Sequence, residues 1–82
     1  MPILVPTAKL AALIGQQTIE SNAPTVGDLL EEIRHRVSAA DWERTRRVTI
    51  LVNGRNMQML QGQKTKLEAN DQVWMIVPSG GG

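Results

Sequence analysis

The segment Val73-Trp74-Met75-Ile76-Val77 is the most strand-like run of the chain, and it leads directly into Pro78-Ser79-Gly80-Gly81-Gly82. Five consecutive apolar residues are typical of a strand inside a sheet. Proline has no amide hydrogen for a neighbouring strand, so Pro78 marks the predicted end of pairing. Glycine combines conformational freedom with the narrowest cross-section. We therefore predict a packed strand followed by a flexible tail, residues 79–82, that can enter another protein's active site. The alternative is a terminus that is loose for no functional reason.

The composition predicts one small domain without disulfide bonds. The chain has 82 residues, 41% of them apolar, with no Cys, Phe or Tyr and a net charge of +1. Disulfides and thiolate metal sites are therefore excluded, and the near-neutral charge argues against binding nucleic acid by bulk electrostatics. No apolar run is long enough to span a membrane, and no signal-peptide pattern is present at the N-terminus. We expect a cytoplasmic protein with no nucleic-acid or membrane partner.

One amphipathic helix is predicted to begin after Thr25. Thr25 can act as its N-cap, and Asp28 three residues later completes a capping-box pattern. The apolar residues that follow share one helical stripe and are Val26, Leu29, Leu30, Ile33 and Val37. This spacing predicts a helix that buries one face. Residues 38–47 are polar and are predicted to form a connection, with Trp42 attaching it to the core.

Two strands are predicted before this helix. Ile3-Leu4-Val5 lies between two prolines and has the character of a buried strand. Residues 17–21 can return beside it as an antiparallel partner. Residues 8–14 suit either a helical turn or a loop over the edge of the core, and both possibilities stay open.

Three further strands are predicted after the helix, and the last of them is the segment at residues 73–77 described above. Residues 48–52 are rich in β-branched residues and end at Asn53-Gly54, the strongest turn signal in the chain. Residues 57–60 are predicted as a short return strand, and residues 64–67 as a segment that pairs again. Asn70 is expected to adopt a left-handed conformation in the turn before the last strand.

This order, β-β-α-β-β-β, predicts an α+β domain of the β-grasp (ubiquitin-like) type over residues 1–78. Its mixed sheet would contain four to five strands with one main helix packed on one face. The first and last strands are both apolar runs, as expected for central strands of such a sheet.

Several short motifs occur in this order along the chain. They are Ile3-Leu4-Val5-Pro6-Thr7, Leu10 to Gly15, Thr25-Val26-Gly27-Asp28-Leu29-Leu30, Val52-Asn53-Gly54, the spaced Leu60, Gly62, Thr65 and Leu67, then Asn70-Asp71-Gln72-Val73, and the terminal Gly81-Gly82. With these motifs the chain resembles the ThiS/MoaD family of ubiquitin-like sulfur carriers. The stretch over residues 60–67 is more similar to CysO-like carriers, which serve cysteine synthase, than to ThiS.

The resemblance implies a carrier and not an enzyme. In this family a ThiF/MoeB-type adenylating enzyme uses ATP to activate the C-terminal carboxylate, here that of Gly82, which then becomes a thiocarboxylate. Ser79, Gly80 and Gly81 would thread the partner's active site. The sulfur would serve cysteine, molybdopterin or thiamine-type biosynthesis, through an acceptor such as cysteine synthase or the large subunit of molybdopterin synthase. The chain itself would bind no cofactor or metal and supply no catalytic residue.

Three alternatives remain. A ubiquitin-like modifier would share the activation step but be conjugated to other proteins through Gly82. A permanent small subunit of a molybdopterin-synthase-like complex would keep its tail inserted in a larger partner. A non-reactive β-grasp binding module would not use its glycines at all.

A docking surface is predicted from the alternation of side chains along the last strand. If Val73, Met75 and Val77 face the helix, Trp74 and Ile76 face away from it. An exposed Trp next to the tail would be an anchor for a partner. The candidate docking patch comprises Trp74, Ile76, Met57, Met59 and Pro78. The competing interpretation is that loops of the chain cover Trp74 and that the two methionines fill the core.

Two other features are weaker. His35 is the only histidine and has no second metal ligand near it in the sequence, so no metal or acid–base role is expected. The arginines could form a basic face for an acidic partner, although solvated surface charges are the commoner case. They are Arg34, Arg36, Arg44, Arg46 and Arg47.

Overall fold

The computed structural model describes residues 1–45 and 47–78 of the chain. Its strands are β1 (Ile3–Val5), β2 (Ile19–Glu20), β3 (Thr49–Val52), β4 (Arg55–Asn56) and β5 (Gln72–Ile76). Its helices are α1 (Ala8–Ile14), α2 (Val26–Arg34) and α3 (Ala39–Glu43), and 3-10 turns span Met57–Met59 and Gly62–Lys64. Expectations for Arg46 and for Ser79, Gly80, Gly81 and Gly82 fall outside the described residues.

The five strands form one mixed sheet in the order β2-β1-β5-β3-β4. The last strand of the chain, β5, lies at the centre, parallel to β1 and antiparallel to β3. The outer strands β2 and β4 contain two residues each and pair antiparallel with β1 and β3. The predicted β-grasp, an α+β fold with a mixed sheet, is confirmed. None of the helices described is long and apolar enough to cross a membrane.

Helix α2 begins as its capping pattern predicts. The hydroxyl of Thr25 accepts a hydrogen bond from the Asp28 amide at 3.1 Å and donates one to the Asp28 carboxylate at 2.8 Å. Val26, Leu29 and Ile33 of the predicted stripe are buried. Fully burying a side chain of this size contributes about 2 kcal/mol, so this face holds the helix on the sheet.

The core lies between α2 and one face of the sheet. Its buried members are Leu4, Leu10, Ile19, Val26, Leu29, Ile33, Ile50, Val52, Val73 and Met75. All five strands except β4 contribute to it, and β1 and β5 supply its centre with Leu4 and Val73 at paired positions. Trp42 packs against this cluster, as expected from the sequence.

Residues 8–14, for which two conformations were open, form helix α1. Thr7 caps it by accepting a hydrogen bond from the Leu10 amide at 3.2 Å, and Gly15 ends it with a φ of 86°. The polar connection of residues 38–47 also contains a helix, α3, which Ser38 caps through the Asp41 amide. Helices α1 and α3 have only seven and five residues, so neither contains enough apolar repeats for a helix to be predicted from the sequence.

The prediction of a return strand at residues 57–60 was wrong by two residues. Asn53 and Gly54 have φ values of 52° and 85°, which is the geometry of a two-residue type I′ turn. Pairing therefore resumes at once, at Arg55–Asn56. The Asn56 side chain then accepts a hydrogen bond from the Gln58 amide and begins a 3-10 turn, which ends the strand.

Two other backbone expectations differ from the structure. Residues 64–67 do pair again, but only through an isolated antiparallel bridge between Lys66 and Thr25, and they form no strand. Asn53, and not Asn70, is the non-glycine residue with a positive φ among the residues described. The turn before β5 is instead held by Asp71, whose carboxylate accepts from the Glu68 amide at 2.7 Å and from the Asn53 side chain at 2.8 Å.

Candidate functional site

Strand β5 carries two rows of side chains with opposite environments. Val73 and Met75 are buried beneath α2, whereas Trp74 and Ile76 are 42% and 39% exposed. Side chains of a strand alternate between the faces of a sheet, so Trp74 and Ile76 lie on the face that α2 does not cover. This placement is the one that the sequence alternation predicts, and the loops described do not bury Trp74.

The neighbouring strands extend this surface. Trp74 lies between Val5 on β1 and Leu51 on β3, and Ile76 pairs with Thr49. Directly paired residues share a face of the sheet, so these side chains lie beside the tryptophan. We call this surface the open face. It comprises Ile3, Val5, Thr49, Leu51, Trp74 and Ile76.

Sequence reasoning missed the contributions of β1 and β3 to the open face. Ile3 and Val5 were interpreted as part of a continuously buried strand, yet both are only half-buried. Leu51 shows the same half-buried state in β3. The signal available in the sequence was that Ile3 and Val5 flank Leu4 and must point to the opposite face of the sheet. Deciding which face of β1 is buried, however, requires the register between the strands.

Trp74 has a polar neighbour on the same face. Its indole N–H points to the Gln72 side-chain oxygen at 3.5 Å, which is long for a hydrogen bond. A half-exposed Trp with a weakly engaged N–H keeps both its apolar ring and its donor accessible to a partner.

The open face borders the point where the chain leaves the sheet. Ile76 is the last residue of β5, and its partner Thr49 is the first residue of β3. Val77 was expected to face the helix, but it lies beyond the strand and is 64% exposed. Pro78 is also exposed. Val77 and Pro78 therefore continue directly from the central strand, at the edge of the open face.

The structure separates the two methionines from this surface. Met57 is half-buried and packs against the core, on the side of the sheet that faces the helices. Met59 is 84% exposed, but it lies beside the β3–β4 turn, near Arg55 and Leu60. Strand β3 lies between β4 and β5, so Met59 is not next to Trp74. Of the predicted patch, Trp74 and Ile76 share the open face, and Pro78 follows two residues after the end of β5.

Ionisable side chains form ion pairs on the outer side of α2. Arg34 donates two hydrogen bonds of 2.9 Å to the Glu31 carboxylate, and this interaction lowers the pKa of Glu31. The Nδ1 atom of His35 lies 2.9 Å from the carbonyl oxygen of Glu31 at the end of the helix. Among residues 1–45 and 47–78 there is no group of three His, Cys, Asp or Glu residues that could hold a metal.

Solved structures with the same fold cover nearly the whole chain. The small archaeal modifier protein SAMP1 of Methanosarcina acetivorans is 22% identical, with a TM-score of 0.80 over 99% of this chain and 95% of its own. The structure of the Amycolatopsis orientalis BexX/CysO complex contains a chain that is 16% identical, with a TM-score of 0.80 and complete coverage of both chains. The Haloferax volcanii HVO 2177 protein is 28% identical, with a TM-score of 0.71 over 99% of this chain and 85% of its own. No curated protein sequence matches the chain.

Sequence comparison identifies the family directly. The profile of the ThiS family matches residues 6–82, which is nearly the full length and includes β3, β5 and the terminal glycines. Proteins of this family are small carriers and not enzymes. The chain belongs to the ThiS family of ubiquitin-like sulfur carriers.

Proposed function

We propose that this protein is a cytoplasmic sulfur carrier whose reacting group is the Gly82 carboxylate. The observation that carries the proposal is the match to the ThiS family, which extends through Gly82. The structure supports it by placing β5, the strand that leads to the glycines, in the centre of the sheet. A central strand is hydrogen bonded to a neighbour on each side. The position of the strand that leads to the terminus is therefore well defined, and a partner that binds the domain can reach the terminus from it.

The proposed chemistry takes place in partner enzymes. A carboxylate oxygen of Gly82 attacks the α-phosphorus of ATP, which forms an acyl-adenylate and releases pyrophosphate. A persulfide on a donor protein then attacks the acyl carbon and expels AMP, giving an acyl disulfide. A thiol then attacks the donor's sulfur and breaks the S–S bond, so that the thiol and the donor are joined in a disulfide and a thiocarboxylate is left on Gly82. The carrier contributes position, because a terminus held in the active site reacts as if at high local concentration.

Recognition by the adenylating enzyme is proposed to use the open face. Trp74 is the largest exposed apolar side chain there, and Ile76 and Leu51 extend the surface around it. Aromatic anchors of this kind provide much of the binding energy at protein interfaces. A ThiF/MoeB-type enzyme that covers the open face would meet the tail where it leaves the sheet. The structure of the Amycolatopsis orientalis BexX/CysO complex contains a chain of this fold, which supports the proposal that this protein docks on a partner protein.

The acceptor of the sulfur is a separate question. We propose cysteine synthase or the large subunit of molybdopterin synthase as the classes of acceptor. The first is favoured by the fold similarity to CysO proteins. The second is favoured by a Pyrococcus furiosus structure described as a putative molybdopterin converting factor subunit, with 25% identity.

The test is the intact mass of the protein after incubation with an adenylating enzyme, ATP and a sulfur source. We expect a mass increase equal to the replacement of one oxygen by sulfur. A variant that lacks Gly81 and Gly82 is the control and should show no increase. If the full chain gains no sulfur with any such enzyme while the enzyme charges its own carrier, the proposal is wrong.

A second function, protein modification, is favoured by the similarity to SAMP1, which is described as a modifier. The activation step would be the same, but a lysine amine of a target would then attack the acyl carbon, forming an isopeptide bond and expelling AMP. The two functions give different products. A carrier accumulates a thiocarboxylate, whereas a modifier gives a set of larger conjugates that disappear when Gly82 is deleted.

A further inference from the structure

A second surface feature lies on the opposite side of the sheet from the open face. It is a cleft of about 250 Å³ between α2, α3 and β3. Its apolar walls include Trp42, Val48, Ile50, Met57 and Met75. An apolar cavity of about 150 Å³ is large enough for benzene, so this cleft can accept one large apolar side chain with part of its backbone.

The cleft adjoins a strand edge that is only partly covered. Val52 of β3 pairs with Arg55 across the turn, and the ladder between β3 and β4 ends at Asn56. Backbone groups alternate in direction along an antiparallel strand, so the N–H and C=O of Ile50 face the same side as those of Val52. Ile50 has no strand partner on that side among the residues described. An extended segment could therefore add to β3 there and hydrogen bond to Ile50.

The charges beside the cleft favour an acidic occupant. Arg47 lies between the lining residues Thr45 and Val48, and Lys64 follows the lining residue Gln63. Both cations are exposed, and neither forms an ion pair with the residues described. The acids next to lining residues are already engaged. Glu31 pairs with Arg34, Asp41 pairs with Arg44, and Glu43 has an interaction of its own.

From these three observations we infer that the cleft is a docking site for an extended peptide segment of a partner protein. The segment places a large apolar side chain between Trp42 and Met57, aligns its backbone with Ile50, and directs flanking carboxylates to Arg47 and Lys64. This site is distinct from the open face, so one carrier can bind two proteins at once. A small interface of this kind gives weak, readily reversible binding.

The two tryptophans of the chain allow the two surfaces to be observed separately. In Trp74→Phe, the fluorescence comes only from Trp42 in the cleft. In Trp42→Phe, it comes only from Trp74 on the open face. The probe is the peptide acetyl-Glu-Val-Leu-Val-Glu-amide, and the control peptides carry Lys in place of Glu or Ala in place of Leu.

We expect the acidic peptide to shift the emission of Trp42 saturably and to leave that of Trp74 unchanged. Arg47→Glu should weaken binding by about fivefold, and added salt should weaken it as well, because exposed charges are screened. Lys9→Glu is the matched control, since Lys9 is an exposed cation of α1, which contributes no residue to the lining of the cleft. It should bind like the parent protein.

Three results would overturn the inference. They are the absence of a saturable change in Trp42 emission at millimolar peptide, equal binding of the lysine peptide, and a response of Trp74 instead of Trp42. None of these measurements involves activation of Gly82, so they fail or succeed independently of the proposed function.

Discussion

The two faces of the central strand β5 use neighbouring residues for different purposes. Val73 and Met75 are buried against α2 and contribute to the core, whereas Trp74 and Ile76 remain on the open face. Burial of the first pair stabilises the fold. Exposure of the second pair adds little stability and leaves apolar surface available to a partner. The comparison shows that stability and recognition can be changed separately by substituting adjacent positions.

The largest effect is expected on the helix face. Leu4 is fully buried opposite Val73, so Leu4→Ala should lower the free energy of unfolding by about 3 kcal/mol through lost burial and a residual cavity. Denaturant unfolding measures this change. Leu13→Ala is the control, because Leu13 is 47% exposed, and it should have a much smaller effect. If the two variants lost the same free energy of unfolding, Leu4 would not be a core residue as the structure describes it.

The next effect concerns the open face. Trp74→Ala should weaken binding to the activating enzyme by about 30-fold, which corresponds to about 2 kcal/mol for an aromatic anchor. The free energy of unfolding should change by less than about 1 kcal/mol, because the side chain is half-exposed. The Michaelis constant for the carrier in pyrophosphate release measures the binding change.

Met59→Ala is the matched control for this prediction, since it also removes an exposed apolar side chain, but one beside the β3–β4 turn. It should leave the Michaelis constant unchanged. If it weakens activation as much as Trp74→Ala does, the open face is not the recognition surface.

A smaller effect is expected at the end of β5 away from the tail. Asn53 has a φ of 52°, and its side chain bonds both to Asp71 and to the Gln72 amide. Asn53→Ala should therefore cost about 1.5 kcal/mol of stability, because Ala disfavours this backbone conformation and cannot make the bonds. Asn53→Gly keeps the backbone freedom and should lose less. Thermal unfolding separates the two variants, and activation by the partner should be unaffected in both.

The smallest effect is expected on the outer side of α2. The hydrogen bonds from Arg34 lower the pKa of Glu31. The ionised Glu31 carboxylate therefore stabilises the folded protein when the pH is above the ordinary pKa of a glutamate. This contribution is lost as the pH falls through the lowered pKa. Unfolding midpoints of the parent and Glu31→Gln should differ slightly at neutral pH and converge in acid. A difference that persists in acid would mean that charge is not its origin.

The sequence was sufficient for the main elements because each had a local signal. The Thr25 cap, the apolar stripe of α2 and the Asn53-Gly54 turn all depend on residues a few positions apart. The alternation along β5 likewise placed Trp74 on the correct face. These signals predict the fold because short-range hydrogen bonds and periodic burial determine them.

The remaining features depend on contacts between distant residues. Met57 and Met59 are two positions apart and were placed in one patch, but the 3-10 turn directs one to the core and the other to solvent. The open-face positions of Val5 and Leu51 follow from the pairing of β1 and β3 with β5, and that register is set by tertiary structure. The cleft beside Trp42 depends on α3, whose single turn gives no periodic pattern.

The most direct test of the carrier function is to locate the added sulfur by fragmentation mass spectrometry after reaction with the activating enzyme, ATP and a sulfur donor. We predict that the whole mass increase lies in the C-terminal fragment that contains Gly82. An increase in any fragment that lacks Gly82, or none with an enzyme that charges its own carrier, would contradict the account.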